Sequence, residues 1–418
     1  MSTVSTRARG RLFRRRAVDA SFRAVACGAL ALALLMLLSM FADLLRRGLP
    51  AFTQSYIALE IHLAADTIGV FDATDPQQLA VGSYQSALAK ALQARFPAVT
   101  EPKQKRELKK LLSLGASSTL QYTLAANPEL LNSRSRWWLL ADQAVDSLVK
   151  SNWRETSTGL SEFQLGIVKQ LYEQGELRRR LNWQFLLMGD STEPEQAGIG
   201  AALLGSVMTL LLTFLFAFPF ALATSIYLEE YAGNNRFNRF IQLNINNLVA
   251  APPIIYGLLG LAIFINFFEL SRSVPLVAAL VLTLMTIPAM IVGNRVALQR
   301  VRKSVREAAF AMGASKMQTI LHYILPLAFP RIIAGALVAL GRALGEGASL
   351  LLIGMAAFIV DKPSGINDPA TVLPVQIYLW AQSPNNAFVE RAAAAILVLL
   401  ALLLAVNSLA VYFRRWGR

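Results

Sequence analysis

The chain has 418 residues, 55% of them hydrophobic and only 16% charged, with a formal net charge of +14. That balance is too apolar for a soluble protein of this length and predicts several membrane spans plus one soluble domain. One cysteine, Cys27, excludes a disulfide framework and a cysteine metal site, and two distant histidines, His62 and His322, predict no metal centre.

Crossing the roughly 30 Å hydrocarbon core takes about 20 apolar residues in a helix. The first such run, Ala24–Ala42, follows a basic tail over residues 1–23. No small-residue cleavage site follows it, so the sequence predicts a retained first transmembrane helix over 24–43, not a removed signal peptide. Residues 44–195 are nearly balanced in charge and numerous enough to bury a core of their own. Within them Phe52–Leu63 is rich in β-branched and aromatic residues and predicts a strand. Gln85–Phe96, Lys103–Leu114, Trp137–Ser151 and Glu162–Leu181 have helical spacing. The segment reads as an α+β, mainly helical domain without a catalytic pattern. Five further spans fill residues 196–413: runs inside Ala197–Leu228 and Phe240–Phe268, then Val274–Asn294, Ile332–Val360 and Ala392–Phe413. Residues 414–418 form a short tail. The expected fold class is an all-α polytopic membrane protein of six transmembrane helices with one inserted α+β domain.

Lysine and arginine counts in the short flanks orient the spans. One side collects seven arginines up to Arg23, then Arg236 and Arg239, seven basic residues over Arg295–Arg331, and Arg414, Arg415 and Arg418. Only Arg272 and Lys362 occupy the short loops opposite. Both termini are thus expected in the cytoplasm of a bacterium, and residues 44–195 outside its inner membrane. The cytoplasmic stretches hold four acids, Asp19, Glu229, Glu230 and Glu307, so they account for the positive excess without nucleic acid as a partner.

The most specific pattern lies between the fourth and fifth spans, in residues 295–327. Glu307, Ala308 and Ala309 continue a run of helix formers that Gly313 stops. A second short helix, Lys316–Tyr323, is expected to end before Leu325 and Pro326, because a residue preceding proline is pushed out of the helical region. Two short helices hinged at a glycine make a knob that fits a groove on a cytosolic partner. The competing reading is an ordinary amphipathic connector. No GxxxxGK[ST] occurs, so the chain has no P-loop, and ATP with its Mg would be held by a partner.

The fifth span contains Arg342 and Glu346, four residues apart and hence expected on one helix face. Ionisable groups inside a span usually face the bundle interior or a water-filled path. Gly341, Gly345 and Gly347 keep the nearby backbone open. A guanidinium fork suits a tetrahedral oxyanion, and a carboxylate one turn away would hold the arginine when the anion has left. The competing reading is an internal ion pair that only fixes helix packing.

The spacing Glu307-Ala308-Ala309, Gly313, Leu325-Pro326 resembles the cytoplasmic loop of ABC-importer permeases, with Tyr323 where that family has isoleucine. The run Arg342–Glu346 resembles an element of phosphate, sulfate and molybdate permeases. Pro194–Gly200, Tyr227–Ala232, Pro253–Leu261 and Val372–Tyr378 resemble the A-type permease of phosphate importers, and the similarity covers residues 182–415. The resemblance implies a type I importer permease fold, with the loop seated on a dimer of ATPase subunits and Arg342 and Glu346 in the anion path. It implies further partners: a second related permease, membrane lipid, and a periplasmic phosphate-binding protein touching Val372, Leu373, Pro374 and Tyr378. No cofactor is expected in the chain itself. A sulfate or molybdate permease is one alternative, and a membrane assembly or signalling protein acting through its outer domain is another. One position departs from the family: four residues after Pro288, where many members have arginine, stands Val292, with Arg295 nearest.

Overall fold

The computed structural model describes residues 3–151, 153, 159–233, 235–355 and 357–416. Helix α1 (Thr3–Gly48) opens the chain, and from Val18 onward it is long and apolar enough to cross a membrane. The inserted domain follows at once: β1 (Thr53–His62), α2 (Ala65–Ile68), α3 (Pro76–Val81), α4 (Tyr84–Arg95), α5 (Pro102–Lys109), α6 (Gly115–Ala126), β2 (Arg134–Leu140), α7 (Gln143–Lys150), α8 (Glu162–Glu173), β3 (Leu177–Leu181) and α9 (Trp183–Leu187).

β1 lies between β2 and β3 and is antiparallel to both, with Ala58 opposite Trp138 and Gln54 opposite Arg180. Alternation sends Ile57, Leu59 and Ile61 to one face. There they join Leu92 of α4, Leu120 of α6, Leu148 of α7 and Leu171 of α8 in the domain's core. Two expectations change here. Trp137–Ser151, expected as one helix, divides: Trp137 and Trp138 pair with β1, and Asp142 starts α7 by accepting from Ala144 N at 2.8 Å. Glu162–Leu181 divides at a turn through Gly175, and its last five residues form β3.

The membrane core comprises α10 (Gly200–Ile226), α11 (Arg236–Val249), α12 (Pro253–Gly260), α13 (Pro275–Gln299), α14 (Lys303–Ala311), α15 (Lys316–Thr319), α16 (Leu325–Leu344), α17 (Ala348–Leu352), α18 (Leu373–Ala381) and α19 (Asn386–Trp416). Five helices could cross a membrane by length and composition: α1, α10 with its extension to Tyr231, α13, the continuous α15–α16, and α19. The pair α11 and α12, extended to Phe267, makes a sixth only as a span bent by 100°. The bend replaces the single straight run expected over Phe240–Phe268. Pro252 and Pro253 lack an N–H and disfavour helical backbone before them, so the helix stops and restarts.

The fifth span also begins earlier than expected. Helix continues from Lys316 through a π-turn at Ile320–Ile324 to Leu344, so Pro326 lies inside it and does not end it. The π-turn resets the hydrogen-bond ladder, which puts Pro326 in the first turn of α16, where a missing donor is tolerated.

The helices meet through small residues: Ala217 and Ala221 of α10 with Met290 of α13 and Ala336 and Ala339 of α16. α10 starts beside the inserted domain and ends near the α13–α14 connection. Its 27 residues rise about 40 Å at 1.5 Å each, which puts the domain and the α14–α15 loop at opposite ends of the bundle.

The domain is fastened to α19. Lys150 Nζ lies 2.6 Å from Asp146 and 2.8 Å from Glu390, and the amides of Gln143 and Asn385 exchange hydrogen bonds of 2.8 and 2.9 Å. Arg391, 4% exposed, donates to Ala197 O at 2.7 Å and Gln54 Oε1 at 3.3 Å. Nearby, burial pushes the Glu195 carboxyl up, and Ser113 Oγ, donating at 2.7 Å, pulls it part of the way back.

At Gly205 the loop before α18 presses on α10: a Cβ there would run into Thr371 O. Overpacking of this kind costs about 1–3 kcal/mol and sometimes more. Gly205→Leu is therefore expected to lower both the amount of protein in the membrane and its melting midpoint in detergent. Gly166→Ala on α8, whose Cβ meets nothing within 4 Å, should hold or slightly raise both. Equal behaviour of the two variants would contradict the tight approach.

Candidate functional site

α14 carries Glu307 and Ala308 on its exposed side and buries Ala309. Gly313 has φ +82°, a left-handed conformation natural to glycine. Its N–H donates to Phe310 O at 2.9 Å, and Ala314 N–H donates to Ala309 O at 3.0 Å, so α14 closes within one turn. Ser315 then opens α15 through a capping box: its hydroxyl accepts from Gln318 N at 3.3 Å, and Gln318 Oε1 accepts from Ser315 N at 2.8 Å. Ile320 and Ile324 turn inward onto Leu298 and Val301. Tyr323 stays 46% exposed, so Ile324 takes the inward position and Tyr323 does not. Leu325 is half-buried and Pro326 exposed. Phe310, Met312, Met317 and Leu321 are exposed on the same knob.

Two acids hold the base of this knob. Arg306 donates to Glu230 Oε1 at 2.8 Å, to Val301 O at 2.8 Å and to Leu298 O at 3.1 Å. Glu229 lies 3.5 Å from Arg295 and accepts from Gln299 at 3.0 Å. Lys316 Nζ stands 4.8 Å above the Tyr231 ring. The segment Tyr227–Tyr231 is thus the bracket between α10, α13 and the knob. The sequence signal for it was two acids among many basic residues. Arg295, engaged by Glu229, does not replace the arginine missing at the half-buried Val292.

α16 ends at Leu344, and Glu346 lies in non-helical backbone between Gly345 and Gly347. Arg342 and Glu346 therefore do not share a helix face, and among the described residues no ion pair joins them. The packing-pair reading falls with that geometry. Glu346 Oε1 accepts from Ser349 N at 3.1 Å, at the start of α17. It lines a small cavity with Ser206, Thr209, Leu282 and Val372, in which Thr209 Oγ1 is buried without a hydrogen-bond partner. Leu282 is the eighth residue of α13, so α16 stops about 12 Å inside the bundle at 1.5 Å per residue. Arg342 is exposed on the side of α16 that carries Val338, away from the buried Ala339, Leu340 and Ala343. A charge facing lipid near the centre of a span costs at least about 2.5–3.5 kcal/mol, so this side of α16 calls for a protein neighbour or water.

Val372 and Leu373, expected on an outer contact surface, are 2% and 0% exposed, and Leu373 N donates to Ser206 Oγ at 2.8 Å. They belong to the core because the loop before α18 folds back into the bundle. Pro374 is half-buried, and Tyr378 remains 47% exposed. Sequence reading missed Arg391, whose only signal is a charged pair, Glu390–Arg391, at the head of the last apolar run.

A family described as the binding-protein-dependent transport system inner membrane component matches residues 221–418, and a domain of unknown function, DUF3333, matches residues 9–158. The probable ABC transporter permease protein YqgI of Bacillus subtilis (strain 168) is 30% identical over 234 residues, covering 53% of this chain and 79% of that protein. The phosphate transport system permease protein PstA 1 of Mycobacterium tuberculosis (strain ATCC 25618 / H37Rv) is 28% identical over 232 residues, covering 56% and 74%. PstA of Haemophilus influenzae is 31% identical over 190 residues, covering 46% and 66%. A chain of the MetNI methionine ABC transporter aligns with a TM-score of 0.42 and 20% identity, over 51% of this chain and 94% of that one. With its helices long enough to cross a membrane, the chain belongs to the ABC-importer permease family of multi-pass inner-membrane proteins and is most like its PstA phosphate permeases.

Proposed function

We propose that this permease imports phosphate, with the knob and both termini in the cytoplasm, residues 44–195 outside, and ATP hydrolysis on a separate ATPase dimer. The knob is the observation that carries this reading. Its exposed apolar residues Phe310, Met312, Met317 and Leu321, beside the exposed Glu307, form a compact helical face suited to a groove on a partner. The PstA relatives support phosphate as the substrate. Arg342 supports an anion path: a second related permease closing over that side of α16 would exclude lipid and leave the guanidinium beside the passing ion. Glu346 and Thr209 line the same level of the bundle from the other side of the helix break. Phosphate would be delivered by a periplasmic binding protein. Sulfate and molybdate fit the same fork, and competition with labelled phosphate uptake distinguishes them.

Leucine at Gly313 forces a left-handed backbone on a side chain that disfavours it by about 1–2 kcal/mol. Gly313→Leu is expected to reach the membrane normally but to lose phosphate uptake and copurification of the ATPase. Normal uptake would remove the docking assignment.

Because no acidic side chain among the described residues pairs with Arg342, Arg342→Gln leaves no buried charge behind and should assemble normally. Phosphate uptake should fall at least about tenfold, and Arg342→Lys should restore it only in part, since an ammonium is a point charge without a planar fork. Uptake at the original rate in Arg342→Gln would end the anion-path reading.

Orientation is read by labelling. Ser118 is exposed on the inserted domain. Ser118→Cys in a Cys27→Ser background should react with a membrane-impermeant maleimide once the outer envelope is permeabilised. Reaction only after the inner membrane is lysed would reverse the proposed topology.

A further inference from the structure

The sheet face away from the domain's core carries charges that the permease reading leaves unused. Register places Gln54, Tyr56, Ala58, Glu60 and His62 of β1 on this face. Arg134, Arg136 and Trp138 of β2 and Arg178 and Arg180 of β3 stand beside them. Three guanidiniums gather on one indole: Arg180 Cζ lies 4.1 Å from the Trp138 ring centroid, Arg178 5.7 Å and Arg136 5.8 Å. All three arginines are exposed, and among the described residues no carboxylate oxygen lies within 4.0 Å of their nitrogens. Among the described residues Glu60 is the one acid these strands bring to the face, opposite Arg136 in register and outside any ion pair. Like charges held this close repel one another, and the negative face of the indole offsets part of that repulsion. What is left is a strip of positive potential around an aromatic centre.

The shape of the strip selects its occupant. Arg180 stands opposite Gln54 and Arg134 opposite His62, eight residues along β1, or about 26 Å at roughly 3.3 Å per residue. The three guanidiniums that meet on Trp138 are all exposed, so they form an open patch and not an enclosed site for one small anion. β1 begins just past the end of α1 and runs away from it, so the backbone of Arg136 stands about 20 Å farther out than that of Arg180, and their guanidiniums converge between the two on Trp138, opposite Ala58 and about 13 Å beyond Gln54. A soluble partner fits this better than a lipid surface. Arginine and tryptophan are also the residues in which interface binding energy concentrates. The burial of Val372 and Leu373 takes two of the four expected contact residues on the outer loop out of reach and leaves Tyr378 exposed, and the sheet face stands on the same side of the bundle as that loop.

We propose that this face docks an acidic surface of the soluble binding protein that delivers the substrate, steering its approach and fixing its orientation. The inference rests on the importer reading and its topology. Its energy is largely electrostatic, so it should act on association and weaken with salt.

The test uses the assembled importer in nanodiscs: full chain, second permease and ATPase dimer. ATP hydrolysis is measured against the concentration of phosphate-loaded binding protein. Arg178→Glu with Arg180→Glu should raise the half-stimulating concentration at least about tenfold and flatten its salt dependence, with basal hydrolysis and the saturated rate unchanged. Glu60→Lys removes an acid from the face and should lower the half-stimulating concentration, a change that misfolding would not produce. An unchanged or raised value in Glu60→Lys, or an unchanged value and salt dependence in the double variant, overturns the docking proposal and leaves the importer reading standing. Effects that appear only with anionic lipid in the nanodisc assign the face to headgroups and also overturn it. Failure of the unaltered complex to respond to binding protein at all overturns the importer reading, and the docking proposal with it.

Discussion

The knob end of the molecule depends on the guanidinium of Arg306. It reaches Glu230 on the extension of α10 and the carbonyl oxygens of Leu298 and Val301 at the end of α13, while belonging itself to α14. Leu298 O is among the last carbonyls of α13, and Arg306 adds a donor to it and another to Val301 O, two residues past the helix. Glu230 is mostly buried and would otherwise be a charge without a counter-ion. Three elements are thereby fixed in relation to one another before the turn at Gly313 or the face of α15 has any meaning. The apolar side of the knob is free to face outward because this polar bracket, and not apolar packing alone, holds it.

Inside the bundle the governing constraint is the backbone. In an apolar solvent every helix break must find partners for its N–H and C=O groups, so breaks persist only where protein or water surrounds them. The chain has two of consequence. The 100° bend at Pro252–Pro253 arises because proline offers no donor and restricts its predecessor. The end of α16 at Leu344 arises at Gly345 and Gly347, and Glu346 accepts from Ser349 N to begin α17. This second break leaves Arg342 as the last charge on a helix that terminates within the bundle, with a small, mostly apolar cavity beside it into which Ser206, Thr209 and Glu346 bring polar groups.

A continuous path of packed elements links the two ends. α15 runs into α16 without interruption. At Gly341, α16 lies against Asn407 and Leu403 of α19, where a Cβ would come within 3.4 Å of each. The head of α19 carries Glu390 and Arg391, which hold the inserted domain through Lys150 and Gln54. A fully buried arginine with these partners couples the domain to the last span, because separating them would leave its donors unmet. The inserted domain is therefore joined to the same helix that supports α16.

Much of this protein is legible in the residues themselves. Apolar run length defines where helices cross, because about 20 residues match a fixed bilayer thickness. Enrichment in β-branched and aromatic residues marked β1, and the Glu307–Pro326 spacing marked the knob, since local backbone chemistry at Gly313 determines its turn. Arg342 was visible as a charge in an apolar run. Folding alone decided everything that depends on which distant residues meet. Trp137 and Trp138 became a strand because β1 offers an edge to pair with, which helical spacing cannot reveal. Pro326 stayed inside a helix because a π-turn before it reset the ladder. Val372 and Leu373, expected on a loop, pack into the core, where Leu373 N donates to Ser206 Oγ. Arg342 and Glu346, one turn apart in sequence, were separated because α16 ends at Gly345 between them. Local sequence constrains conformation over about one turn of chain, whereas counter-ions, buried carbonyls and strand partners lie tens or hundreds of residues apart and are chosen only when the chain packs.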